Sequence, residues 1–556
     1  MDRGRRQREM TEKIKAQIKR HADARRGRQT AQATSDDPGA PNFIIESGQA
    51  TSHKPAGGGQ PPVHTRHPNI TTSSSTTEAD RGQWMASVLG FLDEYEQVHD
   101  RHPMLAWGRD FDIDFLAKYL DYVFPLLFPF YRPGFQETGR SWVLALLRRS
   151  RVAFHSVMSL SAYFFIFTLI ETYPGQHGAC KHQLWEKVGR QTDMCFEMIQ
   201  HDIHDLRLRG PQSTVVEKAR VMESISQFLM FEIALSSAAD WNLHLTPALA
   251  LFEEIWHSDT TTGSAPKLLA ALDAIALPLR FGADHGGYYI WSPEQAGFRF
   301  FAGLLVFIDI IASTALEQPP RLLECHPHLL DAQDNGEPDF GLVPLRLSGL
   351  VGCQNWVLLA ISQISVLNAW KKDMKKAASL SMIELVGRAN QISRTLDDGM
   401  STLDRSTAIP GKATSFNLRS YLKGGLSEQS TTHTRIGACA AHIYLAVVVS
   451  GWQPSNAEVR SGVSRILDLL RGVGCPDHLR TLAWPLCVAG CMSEAGDQEQ
   501  EFRHLLTSMD GLSLVGALEE ARKIMERVWE NRDVLDSQTW DLAACFRVLG
   551  TPALLV

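Results

Sequence analysis

The residues in this sequence with the chemistry to engage a ligand fall into three groups, and the densest is cationic. Arg3, Arg5, Arg6, Arg8, Lys13, Lys15, Lys19, Arg20, Arg25, Arg26 and Arg28 stand against only four acids over residues 1–28. The whole chain carries a net charge of −7, so a basic arm precedes an acidic body. Guanidinium and ammonium groups at that density suit phosphate contact or nuclear import; the plain alternative is a solvated charged tail. Arg3, Arg5, Arg6 and Arg8 form one cluster, and Lys19, Arg20, Arg25, Arg26 and Arg28 another; these nine are the candidate import or nucleic-acid contacts.

The second group holds thiols and imidazoles. Cys487 and Cys491 lie one helical turn apart, and Cys325-His326-Pro327-His328 gathers metal-binding types in one stretch. A structural zinc needs four converging ligands, commonly from two such pairs, and neither group has a second pair. Cys487 and Cys491 therefore read as core thiols. The nine cysteines include no C-x-x-C pair and are odd in number, and no secretory leader opens the chain. That fits reduced thiols in an intracellular compartment.

The third group is acidic and histidine-bearing. His201-Asp202-Ile203-His204-Asp205, with Asp339-Phe340-Gly341 downstream, echoes the two motifs of a plant and fungal acyltransferase family, but Leu206 stands where that family has glycine. Asp397-Asp398 resembles the metal-binding acids of helical terpene cyclases, yet Gly399 follows and no further acid has the spacing, so the pair reads as a polar helix end. No phosphate-cradling loop, dinucleotide fingerprint, H-E-x-x-H or G-x-S-x-G occurs in its required context. No catalytic residue, cofactor or metal-ligand set is expected.

The elements that would position these groups are helical. Residues 29–82 are rich in Pro, Gly, Ser and Thr and read as a disordered linker. From Trp84 onward, apolar residues recur at three- and four-residue spacing, giving an all-α array of about 14–18 helices over 83–556. Pro125, Pro129 and Pro133 predict a helix stop at Phe124-Pro125 and then a proline-aromatic elbow. One long helix follows over 139–172, with Phe154, Val157, Met158, Ala162, Phe165 and Leu169 on a single stripe. Another helix over 513–531 shows a clean apolar face, and Trp529 is expected in its core. Residues 318–346 and 398–431 read as surface loops. Segments 152–170 and 297–316 are apolar enough to suggest membrane spans, but their polar and charged residues favour buried core helices.

The runs LDYVFPLLFPFY, GRSWVLALL and SLSAYFF, between Leu120 and Phe165, resemble the opening helices of the fungal-specific transcription factor domain, the regulatory region of zinc binuclear-cluster regulators. The resemblance continues through Phe228–Trp256, through Leu305–Leu322 with its closing Pro-Arg-Leu, and through Trp484–Cys491, Phe502-Arg503, Val528–Asp533 and Trp540-Asp541. It covers roughly residues 85–555, and the order of the pieces is its most specific feature. Residues 1–28 are similar to the basic stretch that follows the finger in such proteins. A binuclear cluster needs six cysteines near the N-terminus, and the first here is Cys180. The chain is therefore expected to lack that finger, whether through a truncated reading frame, an alternative start or true loss.

The resemblance implies a nuclear transcriptional regulator, with control of a secondary-metabolite or other gene cluster as one implied role. Its implied partners are the transcriptional machinery, another regulator, a second copy or a small-molecule effector, with DNA reached weakly or through a partner. An interaction scaffold with no DNA-binding role is the alternative reading, and a helical enzyme a remote one.

Overall fold

The computed structural model describes residues 110–556 except 134, 173–177, 236–239, 259–266, 278, 282–287, 332–344, 409–427, 474–475, 508–515 and 535–539. The basic arm, the linker and the start of the expected helical array, residues 83–109, lie outside the described residues. The chain enters through α1 (Asp110–Lys118), a π-helical turn (Tyr119–Val123) and one further helical turn (Phe124–Leu127). The expected stop at Phe124-Pro125 is thus displaced to Phe128-Pro129. In a regular α-helix, the missing N–H of Pro125 would strand a carbonyl one turn back. The π turn absorbs this: Phe124 N–H donates to the Tyr119 carbonyl, and Pro125 falls at the start of the next turn. Phe128, at φ −129° and ψ 67° ahead of Pro129, ends the run.

Two helices, α2 (Ser141–Arg149) and α3 (Arg151–Thr172), replace the single one expected over 139–172. Ser150 causes the break. Its backbone is extended, and its hydroxyl accepts from Ala153 N–H at 3.0 Å, which caps α3 as it begins. Every residue from Val152 to Phe164 is buried, so α3 is enclosed on all sides rather than along one stripe. It packs against α1, α2, α4 (Gly178–Arg209) and α5 (Val215–Ala234), the last opened by a Thr214–Glu217 capping box. Next come α6 (Trp241–Trp256), which holds Pro247 inside it, and α7 (Lys267–Ile275).

Two three-residue strands, β1 (Leu279–Phe281) and β2 (Tyr288–Ile290), pair antiparallel. They are too short to show a two-residue period in the sequence, and the fold remains all-α. Ser292 then caps α8 (Pro293–Leu316), with Gln295 completing the capping box and Pro293 in the first turn. Gln295 also donates to the Leu272 and Ala276 carbonyls at 2.9 and 2.7 Å, which stitches α7 to α8. Helix α8 packs on α2, α5, α6 and α7, and further on α9 and the closing turn described below. It is long and apolar enough to cross a bilayer, yet it is buried over nearly its whole length by the protein itself.

The second half holds α9 (Asn355–Lys376), α10 (Met382–Ala408), α11 (Glu428–Ser450), α12 (Ala457–Arg471), α13 (Ala483–Cys491), α14 (Asp497–Thr507) and α15 (Ala517–Glu530), then a closing turn (Leu542–Phe546). Helices α9, α10 and α11 pack mutually, α11 meets α12 and α13, and α13 meets α15. The loop expected over 398–431 is shorter than its composition suggests, because α10 continues to Ala408. Gly399 is needed inside that helix: an added Cβ would come within 2.5 Å of the Trp356 ring. On α15, Leu518, Ala521, Ile524, Met525, Val528 and Trp529 are buried as the sequence predicts. One contiguous apolar core joins α1 to the residues that follow the closing turn.

Candidate functional site

The elbow is an aromatic hub. Phe300 of α8 sits at its centre, with ring centroids 4.5 Å from Trp142, 5.0 Å from Phe128 and Tyr131, and 5.9 Å from Phe124. Trp142 Nε1 donates to the Tyr131 hydroxyl at 2.9 Å, so the hub also satisfies its buried polar atoms. Arg140 lies 5.1 Å over the Phe124 ring and donates to the Leu120 carbonyl at 2.7 Å. Phe130 points the other way, 4.6 Å from His433 and 5.1 Å from His478. Gly352, at φ 79°, gives it room, since a Cβ there would lie 2.5 Å from the Phe130 ring. His433 stands between two backbone carbonyls, Gln429 at 2.9 Å and His478 at 2.8 Å. Both would favour a protonated ring, but burial outweighs them and lowers its pKa to about 4.

Beyond the hub lies an apolar cavity of about 60 Å³, partly open to solvent. Its walls include Phe128 of the elbow, Met230 of α5, Leu304 and Phe307 of α8, and Leu518 of α15. Arg480 and Thr481, from the 3₁₀ turn Pro476–Leu482, are the polar side chains that line it. Thr481 Oγ1 donates to the His478 carbonyl at 2.9 Å, tying this wall to the histidines against Phe130. Gly516 borders the cavity at φ 79°, with its missing Cβ 3.1 Å from the Ile233 carbonyl oxygen. Among the described residues, no acidic, imidazole or thiol side chain lines it.

The sequence pieces that carry the family resemblance prove to be joints between helices. Asp309, inside α8, accepts from Arg321 N–H at 3.0 Å and Leu322 N–H at 2.8 Å, fixing the Pro-Arg-Leu stop. Burial raises its pKa to about 6 despite those two bonds. Arg321 then clamps Glu253 of α6 at 2.7 and 2.6 Å. Trp484 Nε1 donates to Thr314 Oγ1 at 3.0 Å, joining α13 to α8. Trp529 Nε1 donates to the Gly490 carbonyl at 2.8 Å, and Gly490 has no Cβ because Met525 Sδ would be 1.9 Å from it. Lys372 of α9 pairs with Asp541 at 2.7 Å and with Glu317, drawing the closing turn onto α8 and α9.

The residues that suggested other chemistry are scattered. His201 and Asp205 lie on the outer face of α4, 3.5 Å apart, and Asp339-Phe340-Gly341 falls outside the described residues. Cys325 and His326 turn inward, with His326 Nδ1 3.4 Å from Ser362 Oγ, whereas His328 is exposed. Asp397 and Asp398 are not at a helix end but inside α10, where Asp397 faces His442 at 3.4 Å. Cys487 and Cys491 are buried thiols 3.9 Å apart, with burial raising the pKa of both. Arg3, Arg5, Arg6, Arg8, Lys19, Arg20, Arg25, Arg26 and Arg28 lie outside the described residues. The cavity is the feature that sequence reasoning misses. Its walls come from segments hundreds of residues apart, and each contributor looks locally like an ordinary core residue.

Residues 114–553 match the fungal specific transcription factor domain. Transcription factor dibT of Pestalotiopsis microspora is 34% identical, over 100% of this chain and 93% of its own length. The pestheic acid cluster transcriptional regulator 3 of Pestalotiopsis fici is 25% identical over 90% of this chain and 84% of its own. The ustiloxin B cluster transcription factor of Aspergillus flavus is 27% identical over 76% and 68%. No solved structure matches the chain. By the extent of the matched region and by the resemblance to these regulators along the chain, this protein belongs to the fungal specific transcription factor domain family.

Proposed function

We propose that this transcriptional regulator acts in the nucleus and controls a biosynthetic gene cluster. The observation that carries the reading is family membership over 114–553, together with relatives whose names tie them to pestheic acid and ustiloxin B clusters. The basic arm is the proposed import signal, through Arg3, Arg5, Arg6 and Arg8 and through Lys19, Arg20, Arg25, Arg26 and Arg28. It adds phosphate contacts that weaken steeply as salt rises. Base-specific contact is assigned to a partner protein, because phosphate contacts carry no sequence information. The helical body is the proposed platform for that partner, for a second copy or for a small-molecule effector, and not a catalyst.

The test is a tagged full-length chain in which Lys19, Arg20, Arg25, Arg26 and Arg28 are replaced together by Gln. The reading expects nuclear signal for the native chain and cytoplasmic signal for the variant. Nuclear signal unchanged by the substitutions would remove the arm from the account.

A further inference from the structure

We infer that the cavity behind the elbow is a binding site for the hydrocarbon end of a small amphiphilic molecule. Three observations meet there. The lining is apolar on every wall except at Arg480 and Thr481, so a ligand's polar head has one direction in which to lie. The space of about 60 Å³ exceeds the ~10–15 Å³ that one water needs, and most of its walls offer a water no hydrogen-bond partner. The walls also come from four segments distant in sequence: the elbow, the end of α5, the 3₁₀ turn before α13 and the start of α15.

Size and shape narrow the class of ligand. The enclosed part accepts a few carbon atoms and not a fused ring system, while the open side lets a longer molecule extend outward. A branched or straight alkyl end fits; a sugar, nucleotide or polyanion does not, because Arg480 and Thr481 alone are too few donors to replace its hydration. Arg480 is placed to meet an oxygen on the head group. Its guanidinium also lies 5.8 Å over the Phe164 ring of α3, so a ligand that draws it toward the cavity would act on the first half of the fold. Filling the cavity would hold α5, α8 and α15 together, and binding would therefore stabilise the folded chain by mass action. Any regulatory consequence rests on the proposed function above; the binding itself does not.

The experiment measures thermal unfolding of the full chain with geraniol and with dodecanoate, a neutral branched alkyl probe and an anionic straight one. The expected result is a dose-dependent rise of a few degrees with at least one probe. It should be abolished by Ala234→Leu, which fills the cavity from the α5 side. Ala517→Val, from the α15 side, serves the same purpose if Ala234→Leu fails to fold. Arg480→Gln should weaken the response to dodecanoate more than that to geraniol. No rise with either probe overturns the inference, as does a rise that persists in a folded filling variant. Either outcome leaves the import test above untouched, so failure of the site and failure of the functional reading are told apart.

Discussion

Two long helices of this protein, α8 and α10, have similar lengths and opposite roles. In α8, residues from Gln295 to Ala315 are buried with the single exception of Arg299, and five other helices rest on it. In α10, burial follows one seam, Leu385, Ala389, Ile392, Leu396, Met400 and Leu403, and most of the other described positions face solvent. Its first turn even exposes Met382 and Ile383, the latter at 89%. A helix enclosed all round joins the parts of the fold, whereas a helix with one seam closes its edge. That difference sets where substitutions should matter.

The largest effect is expected in α8. Phe301 is fully buried against Trp142 and Phe300, and Phe301→Ala should cost about 3–5 kcal/mol in denaturant unfolding. A loss below about 1 kcal/mol would mean that the hub repacks around the gap and that α8 does not join the parts of the fold.

In α10, the sensitive point is a glycine. Gly399→Ala drives a methyl group into the Trp356 ring, which is held by its own bond from Nε1 to Gln354 Oε1 at 2.7 Å. We expect a loss of about 1–3 kcal/mol from this overpacking, although alanine is the better helix former. A gain in stability would show that α10 can lift away from α9 freely. On the exposed side, Ile383→Ser should change stability by less than about 0.5 kcal/mol. A larger loss would reveal a packed surface where the structure shows an open one.

Between these falls a pH effect. Burial holds His326 and His433 neutral, with pKa values of about 4. An unfolded histidine takes up its proton near pH 6.5, so each contributes stability that is full above that value and lost as pH falls toward 4. Glu520 runs the other way. Burial raises its pKa to about 7, so its contribution is full below the ordinary value of 4.5 and lost as pH rises toward 7. Glu520→Gln keeps the uncharged shape and removes this opposing trend. The melting temperature of the variant should therefore fall more steeply than that of the native chain between pH 6.5 and 4.5. Equal slopes would show that Glu520 titrates as an ordinary exposed carboxylate.

The same comparison explains what the sequence could reveal. The burial of 297–316 is readable because a run of large apolar residues broken by Arg299 and Asp309 suits a core better than a bilayer. The apolar face of α15 is readable because its charges all lie on one side. The end of α10 is not, since Asp397, Asp398 and Gly399 look like a stop, and only the position of Trp356 makes that glycine a packing residue. Ser150 is similar: its capping role depends on where α2 ends and on Ser224 across the core. The cavity is less readable still, because no local pattern says that Phe128, Met230, Leu304 and Leu518 will leave space between them. The closing tryptophans stand between these extremes. Their spacing carries the family resemblance, and the structure supplies the reason, since Trp484 and Trp529 each bond a polar group on a neighbouring helix or at its end.

The most direct test of the account is a transcript profile of the source fungus with and without this gene, under conditions in which the gene is expressed. The account predicts that transcripts of one contiguous biosynthetic gene cluster change together and are restored by the native chain. Normal transcript levels across every such cluster in the deletion strain would contradict it.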